Sequence, residues 1–295
     1  MDAARTPRRP GADAIAAKGW LSAHKWLLLR RLSQFGVLTL FLLGPLAGIW
    51  IVKGNLNFSD TLGVLPLTDI FAGMQTLAAA HVPQKLGLIG LAIVLLVYLV
   101  IGGRSYCAWV CPLNPVTDAA AWLRGRLRLK GGIYLSDRAR YWIFGMTLLL
   151  AALSGGLAWE LVNPISMLHR GLIFGMGWGW TMVLAVFLFD LLLVQRGWCG
   201  HLCPTGVAYS LLGHASLLRV KAGKRDACDD CADCYLVCPE PKVIRPALKG
   251  ADRGEGPLIA SAQCTNCGRC IDICPKDVFS FGARLGRTNA TTGRP

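Results

Sequence analysis

The sequence contains few charged residues. Asp, Glu, Lys and Arg make up 16% of its 295 residues, hydrophobic residues make up 54%, and the mean hydropathy is +0.46. Soluble globular chains usually carry about 25% charged residues, so this composition predicts a membrane protein with a modest soluble part. The sequence also lacks a C-x-x-C-H haem-attachment motif, a dinucleotide-binding glycine fingerprint and a phosphate-binding P-loop. Covalent haem is therefore not expected, and binding of NAD(P) or ATP is not indicated.

No cysteine lies outside four motifs that each end in Cys-Pro, although the chain has 12 cysteines. Disulfides would not cluster in this way, so the motifs predict reduced thiolates that bind metal on the cytoplasmic side of a membrane. Two of the motifs have the pattern C-x2-C-x2-C-x3-C-P and begin at Cys228 and Cys264. This repeated spacing is typical of bacterial ferredoxins that hold two [4Fe–4S] clusters.

The two long runs also predict which cysteines share a cluster. The first three cysteines of a run wrap one cluster, and the fourth ligates the other. One cluster is expected at Cys228, Cys231, Cys234 and Cys274. The other is expected at Cys264, Cys267, Cys270 and Cys238. Structural zinc sites with four cysteines are the alternative, but zinc sites typically use paired C-x2-C units. The runs thus predict one-electron transfer.

Basic residues alternate with apolar segments along the chain, whose net charge is +14. Lys and Arg concentrate in residues 1–32, 103–140 and 195–295. This is the positive-inside pattern of a polytopic membrane protein, and it accounts for the charge without a nucleic-acid partner. The apolar segments between the basic ones predict four membrane-spanning helices. These are Phe35–Val52, Leu86–Gly103, Tyr141–Trp159 and Trp178–Val194.

The predicted fold is an all-α membrane domain of four transmembrane helices joined to a small α+β ferredoxin domain. Residues 1–32 form a basic cytoplasmic arm, 33–212 the membrane domain, 213–287 the ferredoxin domain and 288–295 a flexible tail. The apolar stretch Ile70–Ala80 is too short to span and is expected to be interfacial or re-entrant. We expect the chain in the bacterial inner membrane, with both termini and the ferredoxin domain in the cytoplasm.

The two remaining motifs have the pattern C-x3-C-P and contain Cys107 with Cys111 and Cys199 with Cys203. Each follows a span that returns to the cytoplasm, so the membrane domain is predicted to be a duplication of a two-helix unit. On a helix, cysteines four residues apart share a face. The four candidate catalytic cysteines could therefore hold a metal ion or a third cluster, or cycle between dithiol and disulfide. Buried cysteines that only pack are the alternative.

One acidic residue falls within a predicted span. Asp190 lies near the cytoplasmic end of the fourth span, and an intramembrane acid is a functional candidate by default. It is the fifth candidate catalytic residue. An inward-facing acid that is merely hydrogen-bonded is the alternative.

Several short sequences accompany these motifs. They are Lys18-Gly-Trp20, Arg30-Arg31-Leu32, Pro66-Leu-Thr-Asp69, Cys107-Ala-Trp-Val-Cys-Pro-Leu-Asn-Pro115, Trp159-Glu160, Asn163-Pro164, Gly197-Trp-Cys-Gly-His201, Val237-Cys-Pro-Glu-Pro241 and Cys264-Thr-Asn-Cys-Gly-Arg-Cys270. Because of these short sequences, the four Cys-Pro motifs and the four predicted spans, the chain resembles the NapH family over almost its whole length. NapH proteins are membrane quinol-dehydrogenase subunits of periplasmic nitrate reductase systems.

The resemblance implies that the chain oxidises ubiquinol or menaquinol and holds two [4Fe–4S] clusters. It implies a periplasmic ferredoxin-type partner, NapG, and onward transfer to cytochrome and molybdenum subunits that reduce nitrate. On the outer side, His81, Glu160 and His169 could take the quinol protons, although each alone is typical of a solvated loop. Relatives with the same motifs serve methylamine utilisation, so a maturation ferredoxin that supplies electrons for cofactor assembly is the alternative. A passive membrane anchor, a third possibility, predicts that the clusters are dispensable.

Overall fold

The structure is a computed structural model that describes residues 10–129, 132–133, 135–175 and 177–284. The predicted tail, residues 288–295, lies outside the described residues. The first part of the chain contains α1 (Ala12–Lys18), α2 (Trp20–Ala23), α3 (Lys25–Ala47), β1 (Val52–Gly54), β2 (Phe58–Thr61), β3 (Leu65–Thr68), α4 (Ile70–Ala78), α5 (Lys85–Ile101), α6 (Ser105–Trp109) and α7 (Leu113–Arg126).

The middle of the chain contains α8 (Ala139–Ser154), a 3-10 turn (Ala158–Leu161), α9 (Pro164–Phe174), α10 (Gly179–Leu188) with a π-helical extension (Phe189–Leu193), a second π-helical turn (Trp198–Leu202) and α11 (Pro204–Gly213). The last part contains β4 (Leu218–Ala222), α12 (Asp233–Val237), α13 (Ile244–Lys249), α14 (Arg269–Ile273) and β5 (Phe279–Ala283). Three 3-10 turns lie among these elements, at Arg225–Ala227, Pro241–Val243 and Ala251–Arg253.

Two halves of the helical domain repeat the same order of elements. Each has an apolar helix (α3 or α8), a short helix (α4 or α9), a second apolar helix (α5 or α10), a C-x3-C-P motif and a following helix (α7 or α11). The short helices cross between the halves, because α4 packs against α8 and α11 while α9 packs against α3 and α7. The core of this domain is therefore built from both halves together.

Equivalent polar residues begin the two short helices. The side chain of Asp69 caps α4 by accepting the backbone N–H of Ala72 at 2.9 Å. The side chain of Asn163 caps α9 by accepting the backbone N–H of Ile165 at 3.1 Å. Such caps satisfy backbone N–H groups that the first helical turn leaves without partners.

The four apolar helices differ in length. Within the part of the chain that the structure describes, α3 is the one helix long and apolar enough to cross a membrane by length and composition, with 23 residues and a mean hydropathy of 1.4 in its most apolar window. The other three predicted spans correspond to the shorter apolar helices Lys85–Ile101, Ala139–Ser154 and Gly179–Leu193. Helices α3 and α8 end several residues before the ends of the spans that hydropathy predicted. Each is followed by a glycine in the left-handed conformation, Gly48 (φ 74°) or Gly155 (φ 66°).

The helical domain also contains a small sheet, which the all-α prediction missed. Strands β1, β2 and β3 pair antiparallel in sequence order, with Val52 opposite Thr61 and Phe58 opposite Thr68. The side chain of Asn55 accepts the backbone N–H of Phe58 at 3.1 Å and so stabilises the first turn. Strands of three or four residues give too short a pattern to be recognised in the sequence. The stretch predicted to be interfacial or re-entrant forms the buried helix α4.

The ferredoxin domain is α+β, as predicted. Strands β4 and β5 pair antiparallel, with Leu218 opposite Ala283, and so bring the two ends of the domain together. Its apolar core includes Val220, Ile244 and Phe279, all at most 3% exposed.

The predicted N-terminal arm is not a separate segment, because α3 already begins at Lys25. The described part of the arm, from residue 10 onward, lies against the ferredoxin domain. The backbone N–H of Gly11 donates to Asp233 at 2.9 Å, and the ammonium of Lys18 lies 2.8 Å from the carboxylate of Asp277. The arm therefore ties the ferredoxin domain to the first apolar helix.

Candidate functional site

Two cavities in the ferredoxin domain are each lined by four cysteines. The first, of about 360 Å³, is lined by Cys238, Cys264, Cys267 and Cys270; we call it the proximal site. The second, of about 490 Å³, is lined by Cys228, Cys231, Cys234 and Cys274; we call it the distal site. Each set takes three cysteines from one run and the fourth from the other. This is the crossed grouping that the spacing predicts, and ligation of clusters by these two sets stays a prediction.

The loops that carry these cysteines have a common conformation. Each run turns through residues with positive φ, at Ala232 (64°) and Gly268 (72°), before the short helix α12 or α14 begins. The fourth cysteine of each run is extended, with ψ of 131° at Cys238 and 115° at Cys274. Proline follows both, and proline disfavours the helical conformation in the residue before it. The fourth cysteine therefore leaves its helix and reaches the other cavity.

The cysteine sets suit a cluster better than a single ion. Among the described residues, no group of three or more His, Cys, Asp and Glu side chains could hold one metal ion. A structural zinc site needs four ligands within about 2.3 Å of one atom. A [4Fe–4S] cluster instead spreads its four thiolates around a larger cube, which agrees with cysteines that surround a cavity. The zinc alternative gains no support from this arrangement.

The two sites differ in their electrostatic surroundings. Burial alone would raise the pKa of the Cys267 thiol, but Arg269 and Arg30 outweigh it and lower that pKa. At the distal site, burial and the neighbouring Asp229 raise the pKa of the Cys231 thiol. Positive charge near the proximal site therefore favours negative charge on its cysteines and on anything they bind.

The C-x3-C-P pairs do not lie on continuous α-helices, contrary to the prediction. In each motif the second cysteine donates its backbone N–H to the carbonyl five residues earlier, Cys111 to Tyr106 at 3.0 Å and Cys203 to Trp198 at 2.9 Å. Proline follows both cysteines and disfavours helix at the residue before it. Cys203 is accordingly extended, with ψ of 111°. The two motifs share this geometry, as expected for a duplication.

The structure nevertheless brings the four cysteines of these pairs together. Their thiols interact electrostatically across the two halves, Cys111 with Cys203 and Cys199 with both Cys107 and Cys111. Burial raises the pKa of all four thiols, to about 11 for Cys203. No disulfide joins any of the 12 cysteines, all of which lie in the described part of the chain. The arrangement is compatible with a larger bound cluster and with a dithiol pair.

A third cavity connects these pairs to the proximal site. Its volume is about 390 Å³, and Cys107, Cys199 and Cys267 all line it. Glu240, two residues after Cys238, holds the two domains together beside this cavity. We call this space the connecting cavity.

The contacts of Glu240 fix the second motif against the ferredoxin domain. Its carboxylate accepts from Arg104 at 3.0 Å and from Arg140 at 2.9 Å. The same arginines donate to backbone carbonyls of the motif, Arg104 to Cys199 at 3.0 Å and Arg140 to Gly200 at 2.8 Å. Charge-assisted bonds of this kind are stronger than neutral ones. They hold the connecting cavity in place.

Asp190 lies beside the second motif. It is fully buried on the π-helical extension, and one carboxylate oxygen accepts the backbone N–H of Trp198 at 2.9 Å. Its other oxygen has no hydrogen-bond partner among the described residues. Single π-helical turns often occur at functional sites. Asp190 therefore orients the residue before Cys199.

The three outer-side candidates have different surroundings. His81 is exposed, whereas His169 is buried with its ring edge-on to Phe41 at 5.2 Å. Glu160 lines a polar cavity together with Asp69, which the sequence did not single out as a site residue. An acid directly before an apolar helix is a helix-cap signal, and it could have placed Asp69 at the start of α4.

Comparison with known proteins adds two family matches. A family described as "4Fe-4S dicluster domain" matches residues 227–278. A second, described as "4Fe-4S binding domain", matches twice, over residues 85–130 and 175–225. Each of these two matches contains one C-x3-C-P motif, in agreement with the duplication.

The chain is also similar to known proteins over nearly its whole length. The chain is 52% identical to the methylamine utilization ferredoxin-type protein MauN of Methylorubrum extorquens, over 92% of this chain and 94% of that protein. It is 47% identical to the ferredoxin-type protein NapH of Haemophilus influenzae, over 96% and 98%. It is 44% identical to NapH of Escherichia coli, over 95% and 97%. No solved structure matches the chain.

Proposed function

The chain belongs to the family of the ferredoxin-type proteins NapH and MauN, and on this premise we propose that it oxidises quinol and passes the electrons toward periplasmic nitrate reductase. The resemblance to NapH that the sequence predicted is confirmed, and the chain contains [4Fe–4S]-binding domains. The donor would be ubiquinol or menaquinol. The partners would be a NapG-like periplasmic ferredoxin-type subunit and then cytochrome and molybdenum subunits.

A multi-pass membrane location is part of the proposal. All four apolar helices expose large apolar side chains, including Phe35, Leu86, Trp142, Leu153 and Leu184, each more than half exposed. Extensive exposed apolar surface marks a membrane or partner contact. Helices of 15–17 residues are about 23–26 Å long, less than the roughly 30 Å of a hydrocarbon core, and local thinning of the bilayer accommodates such a mismatch. The basic segments and the ferredoxin domain would face the cytoplasm.

The connecting cavity is the observation that carries the electron-transfer proposal. It is lined by Cys107 and Cys199 of the membrane domain and by Cys267 of the proximal site, so the two parts of the chain meet at cysteines. The eight ferredoxin cysteines would hold two [4Fe–4S] clusters, which exchange electrons one at a time. Arg104 and Arg140 hold Glu240, and this contact keeps the proximal site against the membrane domain. The four cysteines of the C-x3-C-P motifs would relay electrons, either through a third bound centre or by cycling between dithiol and disulfide. They are Cys107, Cys111, Cys199 and Cys203.

A second candidate function is electron supply for cofactor maturation. The observation that favours it is the 52% identity to a methylamine utilization protein, against 47% and 44% to the two NapH proteins. The cysteine sites serve either function equally well. The two candidates differ in the donor and in the partner that takes the electrons.

An anaerobic reduction experiment tests the proposal. The protein is purified in detergent with its clusters intact, and a ubiquinol or menaquinol analogue is added while the reduced-cluster EPR signal is followed. Rapid reduction is expected in the wild type, with loss of the proximal signal in Cys267→Ala. Cys231→Ala is the matched control, because it should remove the distal signal alone. If the signal stays silent even when a periplasmic partner draws electrons onward, quinol oxidation fails and the maturation function leads.

A further inference from the structure

Five arginines lie around the proximal site and are largely removed from solvent. Three come from the helical domain, one on α3, one directly before α6 and one between the two π-helical segments. The other two lie on strand β4 and helix α14 of the ferredoxin domain. We call this group the proximal arginines. They are Arg30, Arg104, Arg196, Arg219 and Arg269, and none is more than 14% exposed.

Hydrogen bonds place three of these arginines beside the proximal cysteines. Arg196 donates at 2.7 Å to the carbonyl of the residue directly before Cys238. Arg104 donates at 3.2 Å to the carbonyl of the residue directly before Cys264. Arg269 lines the proximal site itself. The guanidinium groups of both domains therefore converge on one set of thiols.

The other two proximal arginines act on the same cysteines through their charge. Arg30 interacts electrostatically with Cys267, and Arg219 interacts in the same way with Cys264. Arg219 also donates at 3.0 Å to the carbonyl of Ser261, three residues before that cysteine. Three of the four proximal cysteines therefore have a buried arginine nearby.

The carboxylates of this region do not balance the proximal arginines. Asp118 accepts from Arg269 at 2.7 Å and lies 3.7 Å and 4.0 Å from two others of the group. Glu240 accepts from Arg104 at 3.0 Å. Each of these two acids also forms an ion pair with an arginine outside the group. A third acid nearby, Asp272, already accepts two backbone N–H groups.

Many guanidinium nitrogens of this group also have no acceptor. Within the described residues, seven buried nitrogens of the proximal arginines make no hydrogen bond, including two on Arg30 and two on Arg219. A buried charged donor without a partner costs more free energy than a neutral one, and an uncompensated buried charge is strongly destabilising. Positive charge and hydrogen-bond donors are both in excess, which indicates that an anionic group with several acceptor atoms belongs among them.

We propose that a cluster bound at the proximal site is this missing counter-charge, so that it holds the two domains together in addition to carrying electrons. A [4Fe–4S] cluster with four thiolate ligands is a dianion when oxidised and a trianion when reduced, and its sulfur atoms accept hydrogen bonds. Both properties match a shell of buried guanidinium groups. The inference rests on cluster ligation by the predicted proximal set, and it does not depend on which donor reduces the cluster.

The contact between the domains shows why docking depends on this charge. Arg30 on α3 and Arg269 on α14 belong to different domains, and both act on the thiol of Cys267. Their like charges repel each other. A cluster at the proximal site would turn this repulsion into a shared attraction, whereas a site without one would leave the ferredoxin domain loosely packed on the helical domain.

The distal site has different surroundings. Asp229 and Asp230 line it, and no arginine does so among the described residues. Both acids are exposed, so its loop lies at the surface of the ferredoxin domain. Loss of a cluster from the distal site would therefore remove no counter-charge from a buried cation. The two sites should differ in their effect on domain docking.

Hydrogen exchange, followed by mass spectrometry on the full-length protein in detergent, tests this difference. The reporters are the backbone N–H groups of Trp26 and Leu27, which donate to Asp272 across the contact between the domains. Cys267→Ala, which removes the proximal cluster, should speed exchange of this segment at least about tenfold. Cys231→Ala, which removes the distal cluster, is the matched control and should leave the exchange unchanged. EPR confirms which cluster each variant has lost.

A second substitution separates charge from damage to the loop. Arg30→Met removes one buried cation, so it should slow the exchange of Cys267→Ala severalfold when the two substitutions are combined. Arg253→Met, at an exposed arginine, should not change the exchange of Cys267→Ala. If Cys267→Ala does not accumulate in the membrane, the yield of full-length protein becomes the readout. Recovery of that yield by Arg30→Met but not by Arg253→Met is then expected.

The outcomes separate this structural role from the proposed function. Faster exchange in Cys267→Ala but not in Cys231→Ala, together with rescue by Arg30→Met, supports the inference. Equal exchange in the two cysteine variants, or no rescue by Arg30→Met, overturns it and leaves quinol oxidation standing. If quinol fails to reduce the clusters while the exchange pattern holds, the proposed function fails and the structural role stands.

Discussion

The carboxylate of Asp272 accepts the backbone N–H of Trp26 at 3.0 Å, although the two residues belong to opposite ends of the chain. It also accepts the N–H of Leu27 at 2.9 Å. These N–H groups lie in the first turn of α3. The side chain of His24, at the N-cap position of that helix, forms no capping hydrogen bond. Asp272 lies between Cys270 and Cys274, so a residue of the cluster-binding run caps the first apolar helix.

Replacing this cap should loosen the contact between the two domains. We expect Asp272→Ala to lower the free energy of unfolding by about 1–2 kcal/mol, the usual cost of a lost helix cap, and Asp272→Asn to lower it less. Thermal unfolding of the cluster-loaded protein in detergent measures the effect. Asp252→Ala, at an exposed acid of the same domain, is the control. Equal melting temperatures for Asp272→Ala and this control would contradict the capping role.

Asp118 on α7 is the centre of an arginine cluster that joins the domains. Both of its carboxylate oxygens accept from Arg269 at 2.7 Å, Arg31 donates to one of them, and Arg196 lies 3.7 Å away. We expect Asp118→Asn to destabilise the protein by about 3 kcal/mol or more, because it leaves buried arginines without a counter-charge. Asp137→Asn breaks a more exposed pair with Lys242 and should cost less than about 1 kcal/mol. Denaturant unfolding compares the two variants.

The same carboxylate predicts a pH dependence. Burial alone would raise the pKa of Asp118, but Arg269 and Arg196 outweigh it and hold the pKa at about 2. Since the folded pKa lies below the ordinary aspartate value of 3.8, the stabilisation is present above about pH 4 and is lost as the pH falls toward 2. The stability difference between wild type and Asp118→Asn should therefore be constant at neutral pH and shrink below about pH 4. A difference that grew on acidification would have the wrong sign for this mechanism.

The arginines near the proximal site should make it the more easily reduced of the two cluster sites. Arg30 is 1% exposed and its charge favours the thiolate of Cys267. We expect Arg30→Met to lower the reduction potential of the proximal site by tens of millivolts, where about 59 mV is a tenfold change in a one-electron equilibrium. EPR-monitored redox titration measures both sites in one sample. Arg253→Met, at an exposed arginine, should shift neither potential, and an unshifted proximal potential in Arg30→Met would exclude this effect.

The C-x3-C-P cysteines should matter for electron entry and not for the ferredoxin clusters. We expect Cys111→Ala to abolish cluster reduction by quinol while dithionite still reduces both clusters. Cys111 lies in the core of the helical domain and lines neither ferredoxin site. Cys267→Ala, the comparison variant, should lose its proximal signal with either reductant. Quinol-driven reduction that is unaffected in Cys111→Ala would support buried cysteines that only pack.

Several features of this protein follow from local sequence alone. The spacing of the cysteines from Cys228 to Cys274 predicts the crossed sets found around the two ferredoxin cavities, because a short loop allows few ways to wrap a cluster. The alternation of basic and apolar segments predicts the four apolar helices and their duplication. Periodicity and spacing encode these features directly, so no distant contact is needed to see them.

The tertiary structure alone decided which distant residues meet. The prolines after Cys111 and Cys203 break the helix that a four-residue spacing suggested, and the four thiols converge through packing between the halves. Asp69 and Glu160 come to one cavity because α4 and α9 cross between the halves, and Asp272 caps α3 from the far end of the chain. Such contacts depend on how helices that are far apart in the sequence pack against one another. No pattern in either segment alone encodes them, since packing depends on the shape of both surfaces.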